Sequence, residues 1–371
     1  MPNILTINAG SSSVRFAIFS NSARPTRLLD GKLERLGNEA ADATAERVAQ
    51  QLKAEASIAS PIAVGHRVVH GMLHSEPERI SPTLLKELRS ITPFDPQHLP
   101  REIELIEAMQ RHYPDVPQVA CFDTAFHRGM PTVATLLPIP RRYAAKGVQR
   151  YGFHGLSYTF LMQELARAGG RAAAQGRVIL AHLGSGASLA AVLDGRCIDT
   201  SMGFTPAAGL VMGTRSGDLD PGLMSYLTLT ESMNPAQFQT MVNEESGLIG
   251  ISETSADVRD LLERERHDSR AGDAIAIFCY QARKWIGGFA AALGGVDTLV
   301  FAGGIGENAA PVRRRICEGL KCLGIELDDS LNDAHADRIS TGRVAVRVIR
   351  TDEESVIASL TVQCLGLPTE D

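Results

Sequence analysis

Four side chains sit in settings that suit chemistry. Arg215 lies in Met212-Gly-Thr-Arg-Ser-Gly-Asp218, among glycines and small hydroxyl residues. Glycine lets a backbone approach a ligand closely because no Cβ intervenes. A planar guanidinium presents a fork of N–H donors that matches phosphate or carboxylate. Arg67 closes the apolar run Ile62-Ala-Val-Gly-His-Arg67, a cation at a strand end. Asp123 closes Gln118-Val-Ala-Cys-Phe-Asp123, at a strand-to-loop exit, where α/β proteins place functional groups. His154 stands between glycines in Tyr151-Gly-Phe-His-Gly155. Taken singly, the arginine also fits a structural loop and the histidine a packed core.

The elements that must hold these residues follow from pattern. The stretch Asp199 to Gly222, rich in glycine and carrying two prolines, fits neither helical nor strand periodicity and reads as a loop around Arg215. Ile4 to Phe19 reads as a hairpin whose Gly-Ser-Ser-Ser turn can aim backbone N–H groups at an anion, with Arg15 just beyond it. Arg177 to Leu193 repeats the plan: apolar run, Gly184-Ser-Gly186, apolar run. Two such hairpins imply a duplicated architecture, two lobes facing each other across a cleft with one phosphate loop from each. Residues 38 to 57 read as a surface helix, and Ser81 to Tyr113 as helical, interrupted by the turn from Pro93 to Pro100. Asp257-Val-Arg259 precedes a charged helix, and Asp273 to Leu293 reads as an apolar one. Thr298 to Asn308 reads as strand and glycine loop, followed by a helix around Pro311 to Leu320, a layout suited to nucleotide contact. Val344 to Ile349 is the last strand, before Glu353 and a final apolar helix.

The bulk composition narrows the function. With 37 basic and 43 acidic residues among 371, the chain carries a net charge of −6, which argues against general nucleic-acid binding. Six scattered cysteines with no Cys-x-x-Cys pair suit reduced thiols and a cytoplasmic setting. No signal-peptide pattern or membrane span is expected. His66, His70 and His74 recur every four residues, but the β-branched run argues for a strand, so a helical metal face is not expected. Neither serine turn forms a nucleophile elbow, which excludes a serine hydrolase of that design.

Assembled in order, Asn8-Ala-Gly-Ser-Ser-Ser, His66-Arg-Val-Val-His-Gly, Phe122-Asp-Thr-Ala-Phe-His, Tyr151-Gly-Phe-His-Gly, His182-Leu-Gly-Ser-Gly, Met212-Gly-Thr-Arg-Ser-Gly-Asp and Gly304-Ile-Gly-Glu-Asn resemble the acetate kinase family over nearly the whole chain. The resemblance implies an α/β fold of two duplicated ribonuclease-H-like domains, an actin-like ATPase fold, around a central cleft. It places one domain at residues 1–127 with 355–371 packed back, and the nucleotide-binding domain at 128–354. It implies reversible transfer of the ATP γ-phosphoryl group to acetate, magnesium or manganese as cofactor, ATP and ADP as co-substrates, and a homodimer without nucleic acid or membrane partners. By motif, Asn8 and Glu353 would serve the metal, and Arg67 would hold the substrate carboxylate. Val69, Phe153 and Pro206 would wall its alkyl group. His154 and Arg215 would bind the phosphoryl group in flight, and Asp123 is the family's catalytic carboxylate. Arg15, His182, Leu183, Gly184, Ser185, Gly186, Asp257, Val258, Arg259, Gly304, Ile305, Gly306, Glu307 and Asn308 would contact the nucleotide.

The chemistry of these residues agrees with that reading. A carboxylate attacking phosphorus brings two anions together, so positive charge and alignment are required. A carboxylic acid is already ionised near neutral pH, so no base is needed to make the nucleophile. Asp123 is therefore read as a metal-shell ligand or an orienter, with the family's proton-transfer role left open. Three departures from the family pattern stand out: Arg15 in place of lysine, Ser185 in place of asparagine, and a short segment before Arg67. In the turn Pro96 to Pro100, Gln97 replaces an apolar residue of the alkyl pocket, and acetate ranks ahead of propionate. A propionate or butyrate kinase, or a non-catalytic ATP-binding switch, are the alternatives. A carboxylate clamp has no use in a pure switch.

Overall fold

A computed structural model describes residues 3–10, 13–22, 24–34, 39–55 and 59–368. Ser11 and Ser12, the hydroxyl centre of the first turn, lie outside the described residues. Contacts divide the chain into two units. The first is Met1–Arg128 with Gly155–Phe160 and Asp352–Asp371, and the second is Gly129–His154 with Leu161–Thr351.

The first unit is built on six strands: β1 (Asn3–Ala9), β2 (Ser13–Ser20), β3 (Arg27–Glu34), β4 (Pro61–Val68), β5 (Glu78–Arg79) and β6 (Gln118–Phe122), in the order β3-β2-β1-β4-β6-β5. β1 and β2 pair antiparallel from Ile4 opposite Phe19 to Ala9 opposite Val14, as the hairpin reading requires, and β3 continues the meander. β4 and β6 then add parallel. Every residue of β1 is buried, because helices cover both faces of the sheet. Leu5 and Ile7 pack with Val48 and Leu52 of the helix Ala41–Ala54 and with Leu105 and Met109 of the helix Leu99–His112. Ile4, on the other face, packs with Ala358 and Val362 of the C-terminal helix Glu353–Leu365.

The second unit repeats the plan. β7 (Arg177–Leu183), β8 (Ala187–Leu193), β9 (Arg196–Thr200), β10 (Thr298–Ala302) and β11 (Ala345–Val348) lie in the order β11-β10-β7-β8-β9. Again the first three strands are antiparallel neighbours and the last two join parallel. The duplication inferred from two hairpins is therefore a duplication of whole sheets, as expected of two ribonuclease-H-like domains. The helix Ser269–Ala292 buries Ile275, Phe278, Ile286 and Phe289 and begins four residues before the apolar pattern does. Asp268 caps it by accepting the N–H of Arg270, a start signal that lies ahead of the first apolar turn.

One element differs from its reading. Gly303–Asn308, expected as a glycine loop, is a short helix, followed after Ala309 by the helix Ala310–Cys317. Glycine has low helix propensity, but side-chain hydrogen bonds within the segment and one from Thr351 support the helix here. Glu307 Oε1 accepts both the Gly303 N–H, at 2.9 Å, and the Thr351 N–H, at 3.0 Å, and Asn308 Nδ2 donates to the Gly304 carbonyl. The stretch read as irregular from Asp199 to Gly222 begins in β9, which takes in Asp199 and Thr200, and ends at the first residue of the helix Gly222–Glu231, with no helix or strand in between.

Candidate active site

In the first unit, the ends of three parallel strands meet the start of two helices. Arg67, one residue from the end of β4, donates from Nη1 to the Ala9 carbonyl at 3.0 Å and from Nη2 to Asp123 Oδ2 at 2.9 Å. Its Nε is buried without a hydrogen-bond partner in the structure. Burial alone would depress the guanidinium, but Asp123, Glu353 and Glu102 outweigh it and hold Arg67 above its ordinary range. Asp123 is fully buried. Its Oδ1 accepts the Leu156 N–H at 3.2 Å and its main-chain carbonyl accepts the Gly155 N–H at 2.8 Å. The carboxylate thus caps the helix Gly155–Gly169, where the helix dipole favours negative charge.

Asn8, at the end of β1, donates from Nδ2 to Glu353 Oε2 at 2.9 Å and to Glu354 Oε1 at 3.0 Å. Burial pushes the Glu353 carboxyl well above the usual carboxylate range. Arg67 pulls it back, while Asp123 and Glu354 add to the rise. Asn8, Arg67, Asp123 and Glu353 therefore form one cluster, with two carboxyl groups to one guanidinium. Val69 is buried just beyond Arg67. Arg15 is exposed on β2, in register with Asn8. Gln97 is exposed in its turn. His66 and His70 are pushed down to about 4 by burial and stay neutral. Among the described residues no three His, Cys, Asp or Glu side chains converge as a ready-made metal cage.

In the second unit, the expected nucleotide and phosphoryl residues gather around the β7–β8 turn. His154 adopts a left-handed backbone, φ 60°, which costs a non-glycine residue about 1 kcal/mol or more and is typical of functional positions. Its Nδ1 bonds Ser188 Oγ at 2.9 Å, and its ring stacks on His182 at 4.3 Å between centroids. A Cβ placed on Gly186 would lie 3.3 Å from His154 Nε2 and 3.7 Å from Arg215 Nη1, so both side chains reach the same spot beside the turn. Arg215 Nη1 also donates to the Pro206 carbonyl at 3.2 Å. The Arg215 turn is tied down through Leu248 N–H to the Met212 carbonyl and Ser246 N–H to the Thr214 carbonyl. Gly247, at φ 65°, permits this approach, since a Cβ there would lie 2.2 Å from the Met212 carbonyl oxygen.

Of the other residues expected at the nucleotide, Gly304 approaches the same turn by its backbone, and Ala256, just before Asp257, does so through Gly213. A Cβ on Gly184 would lie 3.8 Å from Gly304 N, and one on Gly213 would touch the carbonyl oxygens of Ser185 and Ala256, both at 3.4 Å. Ser185 itself is exposed at the tip of the turn. Asp257 caps the helix Val258–Arg264 and pairs with the exposed Arg259 at 2.5 Å. Leu183, Phe153 and Pro206 are buried. Ile305 and Gly306 lie in the short helix of Gly304, Glu307 and Asn308.

Three supporting residues escaped the sequence reading. Arg150 Nη1 donates to the carbonyls of Thr200, Ser201 and Met202, fixing the start of the Arg215 loop. Ser188 orients His154. Neither has a local signal. Glu102 is buried and accepts the Val69 N–H. It falls on the apolar face with Leu99, Ile103 and Ile106, a spacing that could have marked it.

Comparison with known proteins identifies the family. A profile of the Acetokinase family matches residues 38–359. An acetate kinase of Rhodopseudomonas palustris is 41% identical over 385 residues, covering 96% of each chain. Among solved structures, Porphyromonas gingivalis acetate kinase superposes with a TM-score of 0.90 at 34% identity, covering 98% of this chain and 100% of that one. A propionate kinase of Francisella tularensis gives 0.88 at 34% identity over the same shares. The family profile spans most of the chain and these relatives cover nearly all of it, so the chain belongs to the acetokinase family.

Proposed function

We propose that this chain transfers the γ-phosphoryl group of ATP reversibly to acetate, giving acetyl phosphate and ADP. The observation that carries the reading is the approach of His154 Nε2 and Arg215 Nη1 to one spot beside Gly186. Two donors on one small site, in a backbone cradle of turn residues, suit the equatorial oxygens of a phosphoryl group in transfer, where charge spreads over three oxygens. Ser188 holds the imidazole by Nδ1, so Nε2 is the atom presented to the phosphoryl group. The turn His182 to Gly186, Asp257 to Arg259 and Gly304 to Asn308 contact the nucleotide.

Arg67 receives the carboxylate of the acid. Asp123 orients the guanidinium from one side, while its own second oxygen is committed to the Leu156 N–H. With the acid already ionised, Asp123 has no proton to remove from the nucleophile. The family resemblance assigns Val69 of the first unit, and Phe153 and Pro206 of the second, to the alkyl group.

Asn8, Glu353 and Asp123 offer the hard oxygen chemistry that suits a magnesium ion, and the half-buried Glu353, held by a single Asn8 donor and pushed toward its neutral form, is a carboxyl that a cation would stabilise as an anion. A magnesium ion keeps several waters and needs only one or two protein carboxylates besides the substrate phosphates. When bound, it neutralises charge on the transferring phosphates.

A homodimer suits the surface of the second unit: the helix Gly222–Glu231 buries no residue and exposes Tyr226 and Leu229, with Leu219 just before it. All six cysteines are unbridged, which suits a cytoplasmic setting. No helix among the described residues is long and apolar enough to cross a membrane. Propionate is the second reading, favoured by the near-equal superposition on a propionate kinase. The test is ATP, magnesium and each short acid with hydroxylamine trapping. Acyl hydroxamate is the expected product, and its absence with acetate, propionate and butyrate would sink the proposal.

A further inference from the structure

Glu102 has no part in the reaction outlined above, yet it is buried beside the group that receives the acid. It lies in the first turn of the helix Leu99–His112 and is 4% exposed. β4 ends at Val68, whose carbonyl accepts the Asp123 N–H at 2.9 Å. The next amide, Val69 N–H, points out of the strand ladder and is taken by Glu102 Oε2 at 3.0 Å. Glu102 Oε1 is equally buried and has no hydrogen-bond partner in the structure. Three consecutive residues thus carry the Arg67 guanidinium, the Asp123 contact and the Glu102 contact.

A buried carboxylate with one unsatisfied oxygen is costly, so the group favours its neutral form. Burial pushes Glu102 up to about 8, although the Arg67 charge and the Val69 N–H pull the other way. The charged groups that face it are Arg67 from β4, Asp123 from the end of β6 and Asp95 from the turn before its helix. Asp95 is itself bonded to His98 Nδ1 at 2.8 Å. His70, beside Asp95, stays neutral. Arg101 precedes Glu102 on its own helix.

We propose that Glu102 is a positioning residue for the acid: it fixes the Val69 backbone and, when ionised, competes with the substrate carboxylate for the charge of Arg67, so that acid binding is coupled to protonation of Glu102. The inference rests on the reading of Arg67 as the carboxylate receptor. The balance is simple. The acid enters as an anion, one proton comes from solvent, and Glu102 becomes neutral. No bond of the substrate changes. Acid binding is strongest where Glu102 is already protonated and weakens as pH rises through its titration.

The test follows acetate binding calorimetrically in two buffers of different ionisation enthalpy, which reports proton uptake, together with the acetate KM, between about pH 6.5 and 9. For the wild-type protein the acetate KM should rise roughly three- to tenfold across this range, with proton uptake on binding at the upper end. Glu102→Gln keeps an oxygen acceptor for Val69 and is always neutral. Its KM should stay near the low-pH wild-type value at every pH, with no proton uptake. Glu102→Leu orphans the Val69 amide and should weaken acetate at every pH, with the ATP KM unchanged in both variants. If Glu102→Gln keeps the wild-type pH dependence, or weakens acetate as much as Glu102→Leu does, the proposal is wrong. A wild-type protein that binds acetate with no such pH dependence refutes this coupling alone. One that neither binds acetate nor forms acyl phosphate refutes the carboxylate reading and the coupling with it. Should Glu102→Leu fail to fold, the pH profile of Glu102→Gln decides.

Discussion

Arg67 and Asp123 form an ion pair, 2.9 Å between Nη2 and Oδ2, in which the aspartate is fully buried and the arginine side chain 13% exposed. Each partner is also engaged elsewhere, Arg67 by the Ala9 carbonyl and Asp123 by the Leu156 N–H. Breaking a buried pair from one side leaves an uncompensated charge, which typically costs about 3–5 kcal/mol. The pair is therefore both a support and a functional element, and substitutions must be chosen to tell the two apart.

If Arg67 receives the acid as proposed, Arg67→Ala should chiefly raise the KM for the acid, since that contact exists in the ground state. Asp123→Asn keeps the shape and leaves Arg67 in place. It should lower kcat and increase the magnesium concentration needed for half-maximal rate. Steady-state kinetics with magnesium titration separates them. An unchanged magnesium requirement for Asp123→Asn would assign Asp123 to orientation alone.

His154→Ala and Arg215→Ala should each reduce kcat by roughly 10²-fold or more, as loss of a transition-state donor does. Ser188→Ala should have a smaller effect in the same direction, since it frees the His154 ring while leaving Nε2 able to donate. Equal losses in all three variants would contradict a role for Ser188 through His154 alone. Thermal melts check that each variant is folded.

These residues were not equally legible in the sequence. The two hairpins, the strand exit at Asp123 and the irregular Arg215 loop each have a local signature, in alternation, apolar run or glycine content, and the structure keeps each. Arg150 and Ser188 act across tens of residues, Arg150 on the carbonyls of 200–202 and Ser188 on His154, and such contacts leave no trace in a local window. The helix at Gly303–Asn308 was hidden because its stability comes from Glu307 rather than from propensity.

Glu102 also makes a stability prediction. Burial pushes its carboxyl up to about 8 in the fold, against about 4.5 for a free glutamate. Between these values the folded chain holds a proton that the unfolded chain releases. Stability is therefore greatest below the unfolded value and declines as pH rises through the folded one, by at most about 1.4 kcal/mol per pH unit. Glu102→Gln removes this dependence. The difference in melting temperature between variant and wild type should grow in the variant's favour from about pH 5 to 8 and level off above. A difference that stays constant over that range would show that Glu102 is ionised in the fold.

The choice of acid bears on the proposed roles of Val69 in the first unit and of Phe153 and Pro206 in the second. All three are bulky and buried, so none can withdraw without repacking its neighbours. This favours a small acid, acetate before propionate before butyrate. One methylene against an apolar wall is worth about 1–3 kcal/mol, or roughly 10–200-fold, so the decline in kcat/KM should be graded rather than absolute. Gln97, the residue whose type departs from the apolar pattern, is exposed. An exposed amide keeps its hydration and exerts little desolvation penalty on a nearby alkyl group. Gln97→Leu should accordingly leave the ratios among the three acids within about twofold, whereas Val69→Ala should raise propionate relative to acetate by creating space for one methylene. The comparison is kcat/KM for the three acids in wild type and both variants. If Gln97→Leu shifts the preference toward acetate and Val69→Ala does not shift it toward propionate, the turn at Gln97, not Val69, sets the size of the acid.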